Sequence, residues 1–368
     1  MSRNVAFYVS GHGYGHATRT AEVVRALIGL KCADNVYVRT NAPTEFFRQL
    51  PGVVLSGVRV EFDPGVAEET PLLVSETKTY QALETALACS RRVVIEETQF
   101  ANNAGIGLLV CDIPFLAGDI AEAVGIPCLA MGNFTWDWIY GSYTARDIRW
   151  EGLIDSVRSS YKRMTAWLRL PFHHESDCFR DIVDVPLVAR KGGRSRTEVL
   201  GALALDAGDT RPRVLLASRG QIGHDVLAEV ADSAADFLFL NLGPLPSPVP
   251  GNLRSLRLPA DVTFMDVLGI SDIVVSKLGY SMIADCISCN TAILWPRRFG
   301  FREHDLLEEQ AVKYLRATEL PKEDYDSGNW GPYLRSAIKM SRPSGYMAVD
   351  GAEVCAQLIA QRLIWQKG

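Results

Sequence analysis

The first half of the chain alternates continuous apolar runs with segments whose apolar residues recur at helical spacing. Residues 5–9 form an apolar run typical of a strand buried on both faces, and a glycine-rich turn follows it. The next segment predicts a helix with one apolar stripe, made of Ala17, Ala21, Val24 and Ile28. Further strands are predicted at residues 36–38, 108–110 and 128–131, with a helix over residues 115–124. This order of strands and helices favours a parallel sheet.

The same alternation restarts after a stretch of different composition. Residues 186–212 combine proline, glycine and a basic run, which is typical of a boundary between domains. Beyond it, buried strands are predicted at residues 213–217, 237–240, 273–275 and 292–295, and a terminal helix at residues 352–365. We therefore predict an N-terminal α/β domain (1–190), a linker region (191–211), a second α/β domain (212–345) and a C-terminal helix (346–368).

Charge and cysteine content exclude several classes of partner. The formal net charge of -5 provides no basic footprint for nucleic acid, which requires clustered lysine and arginine. The apolar segment before Gly11 is too short for a signal peptide or a membrane span, so we expect a cytoplasmic protein with no integral membrane span. Only Cys286 and Cys289 have a redox or zinc spacing, and no second pair follows. Because adjacent His173 and His174 point apart, we expect no metal site and no cofactor.

The loop of residues 11–19, Gly-His-Gly-Tyr-Gly-His-Ala-Thr-Arg, joins the first strand to the first helix. Ligands of open α/β sheets bind at this end of the strands, and glycines allow backbone N–H groups to approach them. The third glycine comes at the wrong interval for a dinucleotide fingerprint. His12 and His16 instead indicate acid–base chemistry, and the alternative is a tight turn with a capping histidine.

Two further segments of the first domain follow strands and carry polar or aromatic side chains. Asp112 follows the strand at 108–110, where its own position favours a cap of the helix that begins near Phe115. Residues 133–140, Asn-Phe-Thr-Trp-Asp-Trp-Ile-Tyr, come directly after the strand at 128–131. Such aromatic rings stack on sugars or apolar acceptors, and core packing is the alternative.

These segments resemble a known group of proteins. Residues 5–26 resemble the N-terminal region of glycosyltransferase-like proteins that include the N-terminal domain of plant L-arabinokinases, and residues 133–140 are typical of the same group. More distantly, the loop is similar to the Gly-Gly-His loop of the lipid II-forming N-acetylglucosaminyltransferase and the Gly-His loop of plant UDP-glycosyltransferases. The resemblance implies a GT-B fold, in which two Rossmann-like domains face a central cleft. It also implies that His16 is the general base and that Asp112 orients it.

The resemblance further implies which residues bind the two substrates. Residues 218–223 match in position the Gly-Gly-Ser-Gln-Gly loop of the lipid II enzyme, and residues 276–285 resemble the motif whose helix N-terminus faces phosphate. The implied donor-binding residues are Gly13, Gly15, Ser218, Arg219, Gly220, Phe264, Met265, Lys277, Gly279, Tyr280, Ser281, Asp285 and Glu303. The implied acceptor-binding residues are His12, Tyr14, Arg19, Asn133, Trp136 and Asp137.

Four of the donor residues carry more specific expectations. Asp285 stands where the relatives have a glutamate that bonds the ribose hydroxyls, so the nucleotide preference is less firmly implied. Phe264 and Met265 match the place where the base packs against backbone, which implies a uracil-like pocket. Glu303 replaces the Asp-Gln pair that reads donor hydroxyls in the plant enzymes, and a solvated charged loop is the alternative.

The sequence therefore predicts a metal-independent glycosyltransferase that moves a sugar from a nucleotide-sugar, in our interpretation a UDP-sugar, to an acceptor hydroxyl with inversion. The acceptor is a small molecule or a lipid-linked one, and the sequence indicates no oligomeric state. One alternative is a non-hydrolysing nucleotide-sugar epimerase, which needs no acceptor and is disfavoured by the aromatic segment. The other is a non-catalytic sugar-nucleotide-binding module, which the presence of His16 and Asp112 disfavours.

Overall fold

The computed structural model describes residues 3–55, 62–217, 222–245 and 249–365, and it contains two parallel sheets flanked by helices. The elements of the first half are β1 (Asn4–Val9), α1 (Tyr14–Gly29), β2 (Val36–Thr40), α2 (Glu45–Arg48), β3 (Val53–Leu55), β4 (Glu68–Thr70), β5 (Leu73–Val74), α3 (Glu76–Asn103), β6 (Ile106–Asp112), α4 (Leu116–Val124), β7 (Cys128–Gly132), α5 (Trp136–Gly141), α6 (Trp150–Tyr161), β8 (Ala166–Arg169) and β9 (Asp181–Asp184).

The elements of the second half are α7 (Arg196–Ala202), β10 (Arg213–Leu216), α8 (His224–Ser233), β11 (Leu238–Leu242), β12 (Leu253–Leu256), α9 (Phe264–Gly269), β13 (Ile273–Val275), α10 (Tyr280–Cys289), β14 (Ala292–Pro296), α11 (Glu303–Tyr314), β15 (Ala317–Leu320), α12 (Lys322–Ser327), α13 (Gly331–Lys339) and α14 (Gly351–Trp365). Every strand and helix predicted from the apolar pattern is present within one or two residues of its expected bounds.

The N-terminal sheet has seven strands in the order β3-β2-β1-β6-β7-β8-β9. Side chains of β1 alternate between two cores, with Ala6 and Tyr8 on one face and Val5, Phe7 and Val9 on the other. Helices cover both faces, and the strand therefore reads as one continuous apolar run. The carboxyl ends of the central strands β1, β6 and β7 lead into the loops that sequence analysis marked for chemistry.

The C-terminal sheet has six strands in the order β12-β11-β10-β13-β14-β15, and its registers are parallel throughout. The predicted linker region of residues 191–211 contains a helix, α7, that begins at the capping box of Ser195 and Glu198. Val199 and Leu200 of this helix are buried in the core of the second sheet. Much of the linker region thus packs as part of the C-terminal unit.

The terminal helix α14 returns to the first sheet. Its buried side chains belong to the same core as Ala17, Ala21 and Val24 of α1, and they are Ala352, Cys355, Ala356, Ile359, Ala360 and Leu363. The first residue of the helix packs tightly against the backbone near Pro186. A Cβ at Gly351 would lie only 2.1 Å from the Pro186 carbonyl oxygen. The docking site of this helix was not indicated by the sequence.

The contacts between the two sheets at their carboxyl edges include the following three. The Ser281 hydroxyl donates to the Gly15 carbonyl at 3.1 Å, which joins the N-terminus of α10 to that of α1. The hairpin of β4 and β5 also pairs with the loop after β14, where the Phe299 N–H donates to the Leu72 carbonyl at 2.7 Å. The third contact is a ring stack described below with the site.

Helix α3 has one buried and one exposed face. The 28-residue helix α3 buries Leu83, Val93 and Ala101 while Ile95 on another face is exposed. Within the described ranges, no helix combines the length and apolar character needed to cross a bilayer.

The packing of α14 predicts a stability difference between two isoleucines of that helix. Ile359 is 0% exposed and Ile364 is 55% exposed. Ile359→Ala should lower the free energy of unfolding by about 2–5 kcal/mol, because it leaves a cavity between α14 and α1. Ile364→Ala is the matched control and should change it by less than about 0.5 kcal/mol. Urea unfolding followed by circular dichroism measures both, and equal effects would contradict the docking of α14.

Candidate active site

The residues with the strongest chemical signal lie where β1 and β6 end. His16 is in the first turn of α1, and Asp112 is the last residue of β6. His16 Nδ1 lies 2.7 Å from Asp112 Oδ1, and Asp112 Oδ2 accepts from Arg19 Nε at 2.6 Å and from Thr20 Oγ1 at 2.8 Å. Helix α4, with Phe115 at its N-cap, has no side-chain cap. The capping alternative for Asp112 is therefore not what the structure shows, and the predicted pairing with His16 is.

The environment of Asp112 keeps its carboxylate ionised. Burial alone would raise the pKa of Asp112, but the charges of Arg19 and His16 and their hydrogen bonds outweigh burial and lower this pKa to about 2. An ionised carboxylate only accepts hydrogen bonds, so the proton between the two side chains is on His16 Nδ1. In the neutral ring with its proton on Nδ1, Nε2 is the unprotonated nitrogen that a general base requires.

Arg19 and Asn133 form the support behind this pair. Arg19 is 5% exposed and its guanidinium bonds to both Asp112 and the Asn133 side-chain oxygen. The Asn133 amide donates in turn to the Pro171 carbonyl at 2.6 Å. Sequence analysis assigned both residues to the acceptor, whereas in the structure their polar groups hold Asp112 and the start of the aromatic segment in place.

The aromatic segment is packed inside the domain. Trp136 is 1% exposed, stacks on Tyr140 and donates its indole N–H to Asp63 Oδ2 at 2.7 Å. Asp137 is buried and accepts from Arg158 Nε at 3.2 Å. The core-packing alternative left open by the sequence describes both side chains. Their predicted contact with an acceptor has no exposed surface to support it.

His12 and Tyr14 of the first loop differ in exposure, since His12 is half-buried and Tyr14 is exposed. The His12 ring meets Trp136 edge to face at 5.5 Å and packs against the turn at Gly65, where an added Cβ would lie 2.5 Å from the ring. Burial, together with the positive charges of His16, Arg298 and Lys277, lowers the pKa of His12 to about 3. Tyr14 is 36% exposed and its ring lies 5.8 Å from that of Phe46.

The N-termini of α1 and α10 face each other across the two sheets. Gly13 is the N-cap of α1 with φ +74°, a left-handed conformation that favours glycine, and a Cβ at Gly15 would lie 3.2 Å from the Ser281 hydroxyl. Gly279 is the N-cap of the ten-residue α10, makes no side-chain cap, and has open space where a Cβ would be. The first N–H groups of α10 are therefore arranged like those of an anion site.

Tyr280 links the two halves of the site. Its ring stacks on Phe134 of the first domain at 5.7 Å, which is the third contact between the sheets. Its hydroxyl is buried and has no hydrogen-bond partner in the part of the chain that the structure describes. Burial and the nearby carboxylate of Glu303 raise the pKa of Tyr280 well above its ordinary value, so the hydroxyl remains a hydrogen-bond donor.

A charged cluster lies beside the N-terminus of α10. Arg298 Nη2 and Lys277 Nζ both approach Glu68 Oε1 of the first domain, at 3.0 and 3.5 Å. Arg298 Nη1 is 3.9 Å from Glu303 Oε1, and its guanidinium covers the ring of Phe301. Burial raises the pKa of Glu303, and the Arg298 charge opposes this rise. Sequence analysis did not assign Arg298 or Glu68 to the site, although Arg298 belongs to the charged run at 298–304 that contains Glu303.

The residues expected to hold the nucleoside have a different environment from the predicted one. Asp285 is 1% exposed, and its carboxylate accepts from the Arg190 backbone N–H and from Arg190 Nε, both at 3.1 Å. It is thus committed to the segment between the domains rather than turned toward a ribose. Met265 is buried in the core, and Phe264 is partly buried beneath the Arg190 guanidinium, 5.2 Å from the ring centre.

Three of the predicted donor-binding residues belong to a segment that the structure does not describe. Ser218, Arg219 and Gly220 lie outside the described residues.

Of the cysteine pair, Cys286 is buried and Cys289 half-buried, and both are free thiols. Across residues 3–55, 62–217, 222–245 and 249–365, no three His, Cys, Asp or Glu side chains are grouped to hold a metal ion.

The chain is similar in sequence to one curated protein and in structure to several glycosyltransferases. No protein-family model matches the chain. The chain is 29% identical over 363 residues to L-arabinokinase of Arabidopsis thaliana, which covers 98% of this chain and 34% of that protein. A UDP-glucosyltransferase from Polygonum tinctorium, capable of glucosylating indoxyl, has a TM-score of 0.60 at 14% identity, with 99% of each chain covered.

The chain adopts the GT-B fold. The same architecture is found in a protein of Listeria monocytogenes assigned as a UDP-N-acetylglucosamine 2-epimerase, with a TM-score of 0.57, 11% identity and coverage of 100% of this chain and 98% of that one. This GT-B chain spans about a third of the length of the curated relative it matches. Likeness to solved structures at these identities identifies the fold, while the reaction has to be argued from the site.

The lowered pKa of His12 predicts a contribution to the pH dependence of stability. The unfolded ring binds a proton near pH 6.5 and the folded one near pH 3, so stability is full above pH 6.5 and falls as the pH drops toward 3. His12→Gln should flatten this fall by up to about 1.4 kcal/mol per pH unit. Urea unfolding at pH 7, 5.5 and 4.5 measures it.

Other ionisable groups contribute equally to the pH dependence of stability in the native chain and in the His12→Gln variant. His174 and His304 also have pKa values lowered by burial, but they are present in both the native chain and the variant. Asp112, with its pKa lowered to about 2, loses its contribution only at lower pH than this range. Parallel stability curves for the two proteins would contradict the burial of a neutral His12.

Proposed function

We propose that this GT-B chain transfers a sugar from a nucleotide-sugar, in our proposal a UDP-sugar, to an acceptor hydroxyl by a single inverting displacement. The observation that carries the proposal is the 2.7 Å pair of His16 Nδ1 and Asp112 Oδ1 at the carboxyl ends of β1 and β6. A buried, ionised carboxylate behind an imidazole fixes its tautomer and stabilises the imidazolium that forms during reaction. The fold supports the same proposal, because glycosyltransferases share it.

The proposed reaction uses the two sides of the cleft differently. His16 Nε2 takes the proton of the acceptor hydroxyl, the acceptor oxygen bonds to the anomeric carbon, and the bond from that carbon to the diphosphate oxygen breaks. The N–H groups at the start of α10 and the Lys277 ammonium are suited to the charge that develops on the leaving diphosphate. The Tyr280 hydroxyl and the Glu303 carboxylate lie beside the same space and are suited to sugar hydroxyls.

A nucleotide-sugar epimerase is the second candidate, because the Listeria protein shares the fold. The aromatic segment no longer separates the two candidates, since Trp136 is in the core. Incubating the chain with UDP-N-acetylglucosamine and UDP-glucose, alone and with acceptors, and resolving the products by NMR distinguishes them. An epimerised nucleotide-sugar without acceptor supports the epimerase, and a glycosylated acceptor with free UDP supports transfer. The kinase activity in the name of the Arabidopsis relative belongs to a protein of which this chain covers 34%.

Substitution of the dyad tests the mechanism. His16→Ala should lower kcat by about 10²–10⁴-fold, the usual effect of removing a positioned base, and leave UDP-sugar binding nearly unchanged. Asp112→Asn should lower kcat by less, because the imidazole stays but loses its orienting charge. His173→Ala is the matched control, since His173 is a half-buried histidine that contacts Trp167 rather than the site. Steady-state kinetics and calorimetric UDP titration provide both readouts, and an unchanged kcat in His16→Ala would exclude this base.

Donor binding should not require a divalent cation, because the proposed phosphate contacts are the N-terminus of α10 and Lys277. We expect the same Kd for UDP with EDTA and with Mg²⁺ in calorimetric titrations. An Asp-x-Asp sequence occurs at Asp324 and Asp326, but Asp324 accepts from Asn329 at 2.8 Å and Asp326 pairs with Lys322. A loss of UDP affinity on chelation would contradict the proposed donor site.

A further inference from the structure

A cavity of about 280 Å³ lies at the carboxyl edge of the first sheet, on the acceptor side of the site. Its polar lining comes from Ser10 and His12 after β1, from Asn41 after β2, and from Asp63 in the segment before β4. Sequence analysis singled out only His12 among these residues. Asp63 and Asn41 were missed because the segments that carry them show no motif.

The cavity is next to the proposed base. His12, in its wall, and His16 belong to the same loop and flank one aromatic pair: Trp136 meets the His12 ring at 5.5 Å, and Phe134 meets the His16 ring at 5.8 Å. The rings of Phe134 and Trp136 are themselves in edge-to-face contact at 5.1 Å. The cavity wall and the proposed base are therefore in contact with the same aromatic pair.

The lining groups are suited to hydroxyls rather than to anions or large apolar bodies. A serine hydroxyl, an asparagine amide and a neutral imidazole each donate and accept hydrogen bonds, as hydroxyls do, and the Asp63 carboxylate accepts. Arginine and lysine are missing from the described lining, so a phosphate or carboxylate finds no ion-pair partner in the wall itself. The volume of about 280 Å³ lies just below the roughly 300–1,000 Å³ typical of pockets for drug-sized ligands.

The wall is also fixed before any ligand arrives. Asp63 is 5% exposed, and its two oxygens accept from Ser10 Oγ at 2.9 Å and from Trp136 Nε1 at 2.7 Å. The His12 ring is held between Trp136 and Gly65. Groups that are already oriented lose little entropy when they bind a ligand, and they select its hydroxyl pattern. The buried Trp136 thus acts on the acceptor side by positioning Asp63 and His12.

We infer that the acceptor is an uncharged polyhydroxylated molecule of about monosaccharide size, bound in this cavity, rather than a lipid-linked or aromatic one. This inference rests on the proposed function for the transfer step, but the binding of such a molecule is independent of it. His12 and Asn41 supply the hydrogen bonds to its hydroxyls, Ser10 and Asp63 hold the wall in place behind them, and one hydroxyl is directed toward His16.

The test combines binding with transfer, using the full chain. Aldopentoses, aldohexoses and myo-inositol form one set of probes, with 4-nitrophenol and dodecanol in detergent as the other. Binding is measured by saturation-transfer NMR with and without UDP, and transfer by UDP release from a panel of UDP-sugars. We expect binding and transfer with at least one member of the first set and neither with the second.

Asn41→Ala is the informative variant, because Asn41 is exposed at the cavity wall and its loss should not affect folding. It should raise the acceptor KM about 3- to 10-fold, which corresponds to the usual contribution of one hydrogen bond, and leave the KM of the donor unchanged. Asn103→Ala, at an exposed asparagine that ends α3, is the matched control and should change neither.

The outcomes separate this inference from the proposed function. If the polyols bind and Asn41→Ala weakens them while no sugar is transferred, the cavity assignment stands and the transfer reaction is wrong. If UDP-sugars are used but sugar goes to the aromatic or alkyl acceptor, transfer stands and the inferred acceptor class is wrong. If no polyol binds at 50 mM, on the order of ten times a weak 5 mM Kd and so near saturation, the cavity assignment is overturned.

Discussion

The buried carboxylate of Asp112 is the constraint around which the N-terminal domain is arranged. A charge with 1% exposure is costly unless every oxygen has a partner, and here the partners come from the first two turns of α1: His16, Arg19 and Thr20. The loop after β1 and the helix α1 are thereby fixed against the end of β6. Through Arg19 the same network reaches Asn133 after β7, so three adjacent strands share one set of hydrogen bonds. His16 is held in place because its ring is one of the partners that this buried carboxylate requires.

The two halves of the cleft differ in electrostatic character. The N-terminal side presents hydroxyl, amide and neutral imidazole groups around Asp63, while the C-terminal side presents Lys277, Arg298 and the N-terminus of α10. This division is suited to a reaction between a neutral acceptor and an anionic donor. The boundary between them is formed by the stack of Phe134 on Tyr280 and by the pairing of the β4–β5 hairpin with the second domain.

The contacts across the cleft include ion pairs beside the site, in which Arg298 and Asp285 are buried while Glu68 and Lys277 are exposed. Glu68 on the hairpin accepts from Lys277 and Arg298, and Arg190 holds Asp285 at the back of α10. Each pair joins segments of different domains or of a domain and the linker. These ion pairs hold the domains in register, and their value to stability depends on the desolvation that both partners have undergone.

The sequence by itself determined four strands of each sheet and, with the resemblance, the pairing of His16 with Asp112. A strand such as β1, covered on both faces, has to be apolar at every position, so its pattern is local and readable. The glycine and histidine spacing of the first loop, taken with the resemblance, was enough to pair His16 with Asp112. The tertiary structure alone decided the roles of Arg19, Trp136 and Asp285. Their partners Asp112, Asp63 and Arg190 lie between 73 and 95 residues away in the chain. Whether a polar or aromatic side chain faces a ligand or another side chain depends on which distant segment packs against it, and no local pattern contains that information.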